Sequence, residues 1–329
     1  MLPHFRKILA GLALVGTALS ASATTLTVYT YDSFTGEYGP GPKLKPLFEK
    51  HCQCELVFES LEDGVSILNR LKIEKNQTRA DVLLGLDQML MQEAKGLGLL
   101  QPHGVNLSGL DARLNWHDDL FVPFDHGYFA FVYNVETVKT PVTSLKALID
   151  SDSRVIYQDP RTSTPGQGLM TWMETVYGKD IEAAWRRLAK HTVTVTKGWW
   201  DAYSLFLKGE ADYVLSYTTS PAYHAVVEND TRYHAAIFEE GHVSQVEVAA
   251  ISATTQHPDL ARQFLAFLIS PEAQAIIPVT NWMLPVIPQA DLPNAFAELP
   301  SPAVLPVDFD QAAQQRDTWV HRWRNAVSQ

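Results

Sequence analysis

The chain has 329 residues, 46% hydrophobic, 10% aromatic and 19% charged, and a net charge of −11 from 26 basic and 37 acidic side chains. That apolar content, without charge blocks or low-complexity runs, excludes disorder, collagen-like repeats and coiled coils, and the length suits two domains or one domain of two lobes. The acidic balance excludes gripping nucleic acid or anionic lipid through the overall field; it favours cations.

Residues 1–23 read as a secretory signal. Arg6 and Lys7 are followed by an apolar run from Ile8 to Leu19 and by Ala21-Ser22-Ala23, the small-x-small pattern of a cleavage site. The run is too short to span a bilayer, and no Cys follows it to carry a lipid anchor. Without those residues the chain keeps 24 Lys and Arg against 37 Asp and Glu, a net charge of −13. An exported protein, cleaved near Ala23, is expected. Cys52 and Cys54 are the only cysteines. An oxidising compartment permits a bridge between them, although the loop is short; a pair of small buried thiols is the other reading.

Leu26–Tyr31 alternates and is rich in β-branched and aromatic residues, which predicts a strand. A helix over 40–50 follows, with Leu44, Leu47 and Phe48 on one face, then a strand over 55–59. Glu62-Asp63-Gly64 opens a helix with Val65, Leu68, Leu71 and Ile73 on its stripe. The apolar run 80–86 has the character of a strand buried on both faces. The first hundred residues therefore read as β-α-β-α-β-α around a parallel sheet. A second unit begins near Phe121. Strands are expected over 128–133, 154–158, 191–195, 213–217, 235–238 and 245–251. Helices are expected over 144–150, 167–177, 181–189, 202–208, 258–268 and 309–327, the last with Trp319, Trp323 and Val327 as a docking stripe. The proline-rich stretch 284–307 reads as an irregular surface connection. No flexible linker and no internal repeat appears, so the pattern alone implies a large α/β protein.

Familiar catalytic signatures are absent. There is no phosphate-binding G-x-x-x-x-G-K-[ST] loop, Gly166-Gln167-Gly168 lacks the third glycine of a dinucleotide fingerprint, and no serine stands in G-x-S-x-G. The eleven histidines are dispersed, without metal-ligand spacing. What stands out is a set of aromatic and small polar groups at strand-to-helix turns: Tyr31-Asp32-Ser33, Glu62-Asp63-Gly64, the 161–166 segment, Trp199-Trp200-Asp201 and the 217–223 segment, with Asn281-Trp282 in a late loop. In open α/β sheets the ligand crevice lies at the carboxyl ends of the strands. Taken singly, Asp63 and Ser163 could be helix caps and the tyrosines core residues. Taken together, Tyr and Trp faces attract a cation, a carboxylate accepts from an amine, and the turn before residue 167 offers hydroxyls and N–H groups to an anion. The set describes a site for a flat aromatic cation, with or without a phosphate.

The runs Leu26–Phe34, Leu61–Val65, Val155–Gly166, Thr194–Trp199, Leu215–His224 and Asn281–Met283 closely resemble the thiamine-binding periplasmic proteins of bacterial ABC importers, over essentially the whole mature chain. The resemblance implies an α/β, two-lobed periplasmic binding protein fold of type II, with the ligand cleft between lobes joined by two crossing strands. Lobe one would comprise 24–124 plus 245–329, and lobe two 125–244. It also implies ligand contacts from Asp63, Gly64, Ser163, Thr164, Trp199, Tyr217, Thr218, Thr219 and Ser220, with Tyr31, Tyr223 and Trp282 completing the aromatic walls. Asp63 would take the aminopyrimidine or offset the cation, and the 163–166 turn would meet the phosphate or hydroxyethyl end. Tyr38 departs from the family pattern, where a tryptophan is expected.

The implied function is capture of thiamine, its monophosphate or its diphosphate by a periplasmic monomer and delivery to a membrane permease with its ATPase subunit. No catalysis, cofactor or metal is expected. The alternatives are a receptor for ferric iron or a polyamine, and an enzyme resembling thiaminase with a cysteine nucleophile. The last is opposed by the placement of Cys52 and Cys54 at the amino end of the second strand, away from the crevice.

Overall fold

The computed structural model describes residues 23–288 and 292–328; the expected signal lies outside the described residues except for Ala23. The chain runs β1 (Thr25–Tyr31), α1 (Asp32–Thr35), α2 (Gly41–Cys52), β2 (Glu55–Leu61), α3 (Gly64–Glu74), β3 (Val82–Asp87), α4 (Gln88–Gly96) and β4 (Leu100–Gln101). The long β5 (Phe121–Asn134) leads to α5 (Leu145–Ile149), β6 (Val155–Gln158), α6 (Thr164–Tyr177), α7 (Ile181–Ala189), β7 (Thr192–Thr196), α8 (Trp199–Leu207), β8 (Tyr213–Tyr217), α9 (Ser220–Tyr223) and β9 (Tyr233–Ala236). Then come β10 (Ser244–Ser252), α10 (Pro258–Leu268), α11 (Pro271–Gln274), β11 (Leu284–Pro285), α12 (Asn294–Ala297) and α13 (Phe309–Val327).

The strands hydrogen-bond in the order β2-β1-β3-β10-β5-β8-β6-β7. β1 pairs in parallel with β2 and β3, as the β-α-β pattern requires, and β6 pairs in parallel with β7 and β8. β5 and β10 tie these two halves together. Residues 121–128 of β5 run antiparallel to β10, and residues 129–133 of the same strand run antiparallel to β8. One unbroken strand therefore belongs to both lobes. A register shift in β10 after Glu247 lets the ladder pass Pro123, which has no N–H to give.

Among the described residues three apolar clusters follow from this topology, the smallest of them gathering Val132, Ile156, Tyr203, Phe206 and Val214 under α8. Of the two larger cores, the first gathers Leu26, Val28, Leu68, Val82, Leu84, Phe121 and Phe264; the second gathers Phe129, Phe131, Tyr157, Trp172, Trp185 and Leu215. Ile73 departs from its expected stripe: it is 81% exposed, while Ile67 is buried with Val65, Leu68 and Leu71. At 100° per residue, Ile73 lies opposite the mean direction of that buried face. α6 and α8 each begin three residues before the expected start, α6 with Pro165 in its first turn, where a missing N–H is harmless.

The terminal helix departs from the lobe-one grouping of 245–329. Trp323 and Ala326 of α13 are buried in the second core, with Trp319 and Val327 packed against it. The helix lies on α6 and α7 of lobe two and also touches α4 of lobe one. Its buried Arg316 donates to Gln167 on α6 at 3.1 Å and to Glu93 on α4 at 3.2 Å. The chain thus passes between the lobes a third time before it ends.

Cys52 and Cys54 form a disulfide, with Cα atoms 5.1 Å apart. It sits at the C-terminus of α2, just before the amino end of β2.

Candidate functional site

A cavity of about 390 Å3 lies where the lobes meet. Eight aromatic side chains line it: Tyr31, Tyr38, Trp199, Trp200, Tyr203, Tyr217, Tyr223 and Trp282. Four acidic side chains, Asp32, Glu37, Asp63 and Glu247, line it as well, and among the described residues no Lys, Arg or His does. Burying an organic cation against π faces and carboxylates is favourable; burying an anion there is not.

The topology explains the gathering. Tyr31 ends β1, Asp63 precedes α3, Trp199 opens α8 and Tyr217 ends β8, so each stands at a strand's carboxyl side or a helix start. Trp199 is oriented from two directions. Its Nε1 donates to Ser216 Oγ at 2.8 Å, and its ring stacks on Tyr203 at 4.9 Å and 19°. Ser216 is itself within 2.7 Å of Ser220 Oγ, so the expected Ser220 both lines the cavity and steadies Trp199. Trp282 holds a left-handed backbone angle of 56°, stacks on Phe296 and meets Tyr223 edge-on at 5.5 Å.

Of the residues expected from sequence, Tyr31, Asp63, Trp199, Tyr217, Ser220, Tyr223 and Trp282 line the cavity. Gly64, Ser163, Thr164, Thr218 and Thr219 are buried and outside its lining. Thr218 N–H donates to Tyr128 O at 2.9 Å, which ties the 217–220 run to β5. Gly64 sits so close to its neighbours that a Cβ there would stand 2.3 Å from Gly85 O and 2.4 Å from Thr164 Oγ1.

Asp63 joins the lobes. Its Oδ1 accepts from Gly64 N–H at 2.7 Å, capping α3, and from Thr164 N–H at 3.3 Å; its Oδ2 accepts from Ser163 Oγ at 2.7 Å. Ser66 Oγ to Thr162 O and Asn69 Nδ2 to Arg161 O, both 3.2 Å, extend the same seam. Two donors at the start of α6, Ser163 Oγ and Thr164 N–H, are therefore engaged by a carboxylate of the protein itself. Burial pushes the Asp63 carboxyl above the usual range, against the lowering effect of these donors.

The cavity floor is an acidic network that sequence reasoning did not reach. Tyr31 Oη donates to Glu247 Oε2 at 2.8 Å, and Asn281 Nδ2 donates to Asp125 Oδ2 at 2.6 Å and reaches Tyr31 Oη at 2.9 Å. Burial raises both Asp125 and Glu247, Glu247 further by the charge of Asp125. Near the mouth, burial and the charge of Asp63 lift Asp32 to about 6. A signal was available: Glu247 is a lone carboxylate inside the apolar strand Val246-Glu247-Val248-Ala249-Ala250, and charged residues are rarely buried without a reason. Tyr203, Leu207 and Met283, also in the lining, look in sequence like ordinary core residues.

The disulfide lies at the amino end of β2, whereas the cavity gathers residues beyond its carboxyl end. Among the described residues no cysteine is free and no cluster of three or more His, Cys, Asp or Glu could hold a metal ion. Among the same residues, no helix is long and apolar enough to cross a membrane.

The sequence profile of the bacterial extracellular solute-binding proteins matches residues 30–275. The thiamine-binding periplasmic protein of Escherichia coli K12 is 53% identical over 321 residues, covering 96% of this chain and 98% of that one. The corresponding protein of Salmonella typhimurium LT2 is 52% identical, with the same coverage. A solved structure described as a periplasmic thiamin binding protein superposes with a TM-score of 0.91 at 52% identity, covering 97% of this chain and all of that one.

Proposed function

Since this chain belongs to the bacterial extracellular solute-binding proteins, and within them to the thiamine-binding periplasmic proteins, we infer that it is a receptor that captures thiamine for an ABC importer. The observation that carries this reading is the composition of the cavity wall: among the described residues, eight aromatic rings and four acidic side chains, with no basic one. Thiamine is a flat, permanently cationic heterocycle linked to an aminopyrimidine, and such a wall suits it from every side. A few aromatic contacts at about 0.5–2 kcal/mol each, with hydrogen bonds and a counter-charge, are enough for the roughly −12 kcal/mol of nanomolar binding.

Tyr31, Trp199, Tyr223 and Trp282 would enclose the two rings. The Asp63–Gly64, Ser163–Thr164 and Tyr217–Ser220 segments would set how the lobes close on them. The protein would act as a monomer in the periplasm after cleavage near Ala23, and would hand its ligand to a permease and its ATPase subunit. The other readings are not favoured. A cysteine nucleophile has no free thiol to supply it among the described residues, and a ferric site leaves the tryptophans without a role.

Calorimetric titration of the unfolded and refolded protein with thiamine, its monophosphate and its diphosphate tests the reading. One-to-one, submicromolar binding with thiamine recovered intact is expected. Binding to none of the three would sink it. The ranking reads how the 163–166 turn, already engaged by Asp63, treats a phosphate.

A further inference from the structure

Asp125 and Glu247 face each other on the two strands that join the lobes. They are direct register partners in the β5–β10 ladder, both are buried, and Glu247 reaches the cavity. Their donors are few. Asn281 Nδ2 serves Asp125 Oδ2 at 2.6 Å and lies 3.3 Å from Glu247 Oε2, Tyr31 Oη serves Glu247 Oε2, and Gln245 Nε2 reaches Glu247 Oε1 only at 3.5 Å. Asp125 Oδ1 is buried without a partner. The remaining titratable groups around the pair supply no positive charge: Tyr31 from β1, Asp87 from β3 on the far side of Glu247, Tyr217 from β8, and Asp63 at the start of α3. Two adjacent buried carboxyl groups in such surroundings do not both ionise, so the empty site retains a proton between them. Asp63, the other candidate counter-charge, has both oxygens engaged in joining the lobes.

We propose that Glu247, backed by Asp125, is the counter-charge for the ligand's cationic ring, and that the ligand's arrival expels the proton the pair shares. The proposal rests on the thiamine reading and deepens it. In the empty site the pair carries one proton and one negative charge. On binding, the carboxyl O–H bond breaks, its electrons stay on oxygen, and the proton goes to buffer; two carboxylates then face one cation. The floor keeps the same net charge in both states. A neutral molecule of the same shape cannot drive that exchange, so the pair selects for charge as well as for shape. Because binding releases protons, affinity rises with pH, by about tenfold per unit for one whole proton.

The test is titration of the full mature protein with thiamine at pH 7.5 in buffers of different ionisation enthalpy, whose slope counts protons released. At that pH the aminopyrimidine is unprotonated and the thiazolium charge is permanent, so the proton comes from the protein. About half to one proton released per thiamine is expected for the wild type. Glu247→Gln should release almost none and bind at least tenfold more weakly, while Asp32→Asn, which removes a raised cavity acid outside the pair, should retain the release. Wild-type binding without proton release overturns the proposal alone, and that measurement needs no variant to fold. Release retained in a folded Glu247→Gln, or lost in Asp32→Asn, overturns it too. Absence of thiamine binding by the wild type instead overturns the functional reading and this proposal with it.

Discussion

Trp199 shows how a single side chain is made into a wall. Its ring is held by a stack on Tyr203 and by the Ser216–Ser220 hydroxyl pair, so little freedom remains to be lost when a ligand lies against it. Trp199→Ala should weaken thiamine binding at least tenfold, about 1.4 kcal/mol or more, in the same titration; unchanged affinity would remove the residue from the site. Gly85 matters for the opposite reason, since it contributes no side chain. Its backbone sits at φ 103°, and a Cβ there would stand 2.3 Å from the Tyr31 ring. Gly85→Ala should cost about 2–4 kcal/mol in urea denaturation and lower affinity by displacing Tyr31. At this scale the aromatic walls were legible, because Tyr31, Trp199, Tyr217 and Tyr223 stand at strand ends or helix starts that the pattern marks. Glu247 and Asp125 were not. Their significance depends on two strands 122 positions apart in the chain being paired in one register, which no local pattern reveals.

Among the elements, α4 carries an unusual cap. Asp87 is fully buried, accepts from Met89 and Leu90 N–H at 3.0 and 3.3 Å, and is pushed by burial up to about 8. A carboxyl raised in the folded state binds its proton more tightly there than in the unfolded chain, so stability falls as pH rises from about 4 to 8. Asp125, Glu247 and Asp32 are raised as well and act in the same direction. The ligand-free protein should therefore melt at a higher temperature at pH 6 than at pH 8. Asp87→Asn keeps a capping side chain and should reduce that difference; an equal slope in the variant would exclude Asp87 as a source. Acidification also acts in the opposite direction: burial lowers His126, His224 and His242, so they cost stability as pH falls below the ordinary histidine range, and Asp111, held by Arg113 at about 2, adds to that loss as pH falls below about 4. Most elements were readable from periodicity, since buried strands and amphipathic helices carry strong local signals. The starts of α6 and α8 were read late because Pro165, Gly166 and Gly198 are turn-forming residues that mask the first turns of helices.

For the whole molecule, the seam formed by Asp63, Ser66 and Asn69 against the 161–164 segment links the two lobes beside the cleft, which predicts that it keeps them together in the absence of ligand. Asp63→Ala removes two of these hydrogen bonds at once, together with the cap of α3. The ligand-free variant should show a larger radius of gyration in small-angle scattering than the ligand-free wild type, with thiamine narrowing the gap; equal radii would mean that the seam does not hold the lobes. The β-α-β opening and the large α/β class followed from sequence pattern, while the lobed arrangement came only with the family resemblance. The position of α13 was missed because its apolar stripe announces that it docks without naming the surface it docks on.

That last helix bears on the order in which the protein can come into being. Trp323 and Ala326 complete the second core, and β10 is the strand between β3 and β5. A nascent chain that has emerged only as far as residue 240 lacks the centre of its sheet, and one that stops short of residue 309 leaves the second core open to water. Neither lobe can be finished early and stored. Nearly the whole polypeptide must be present before either half can settle, which keeps a growing chain pliable until its final turns arrive.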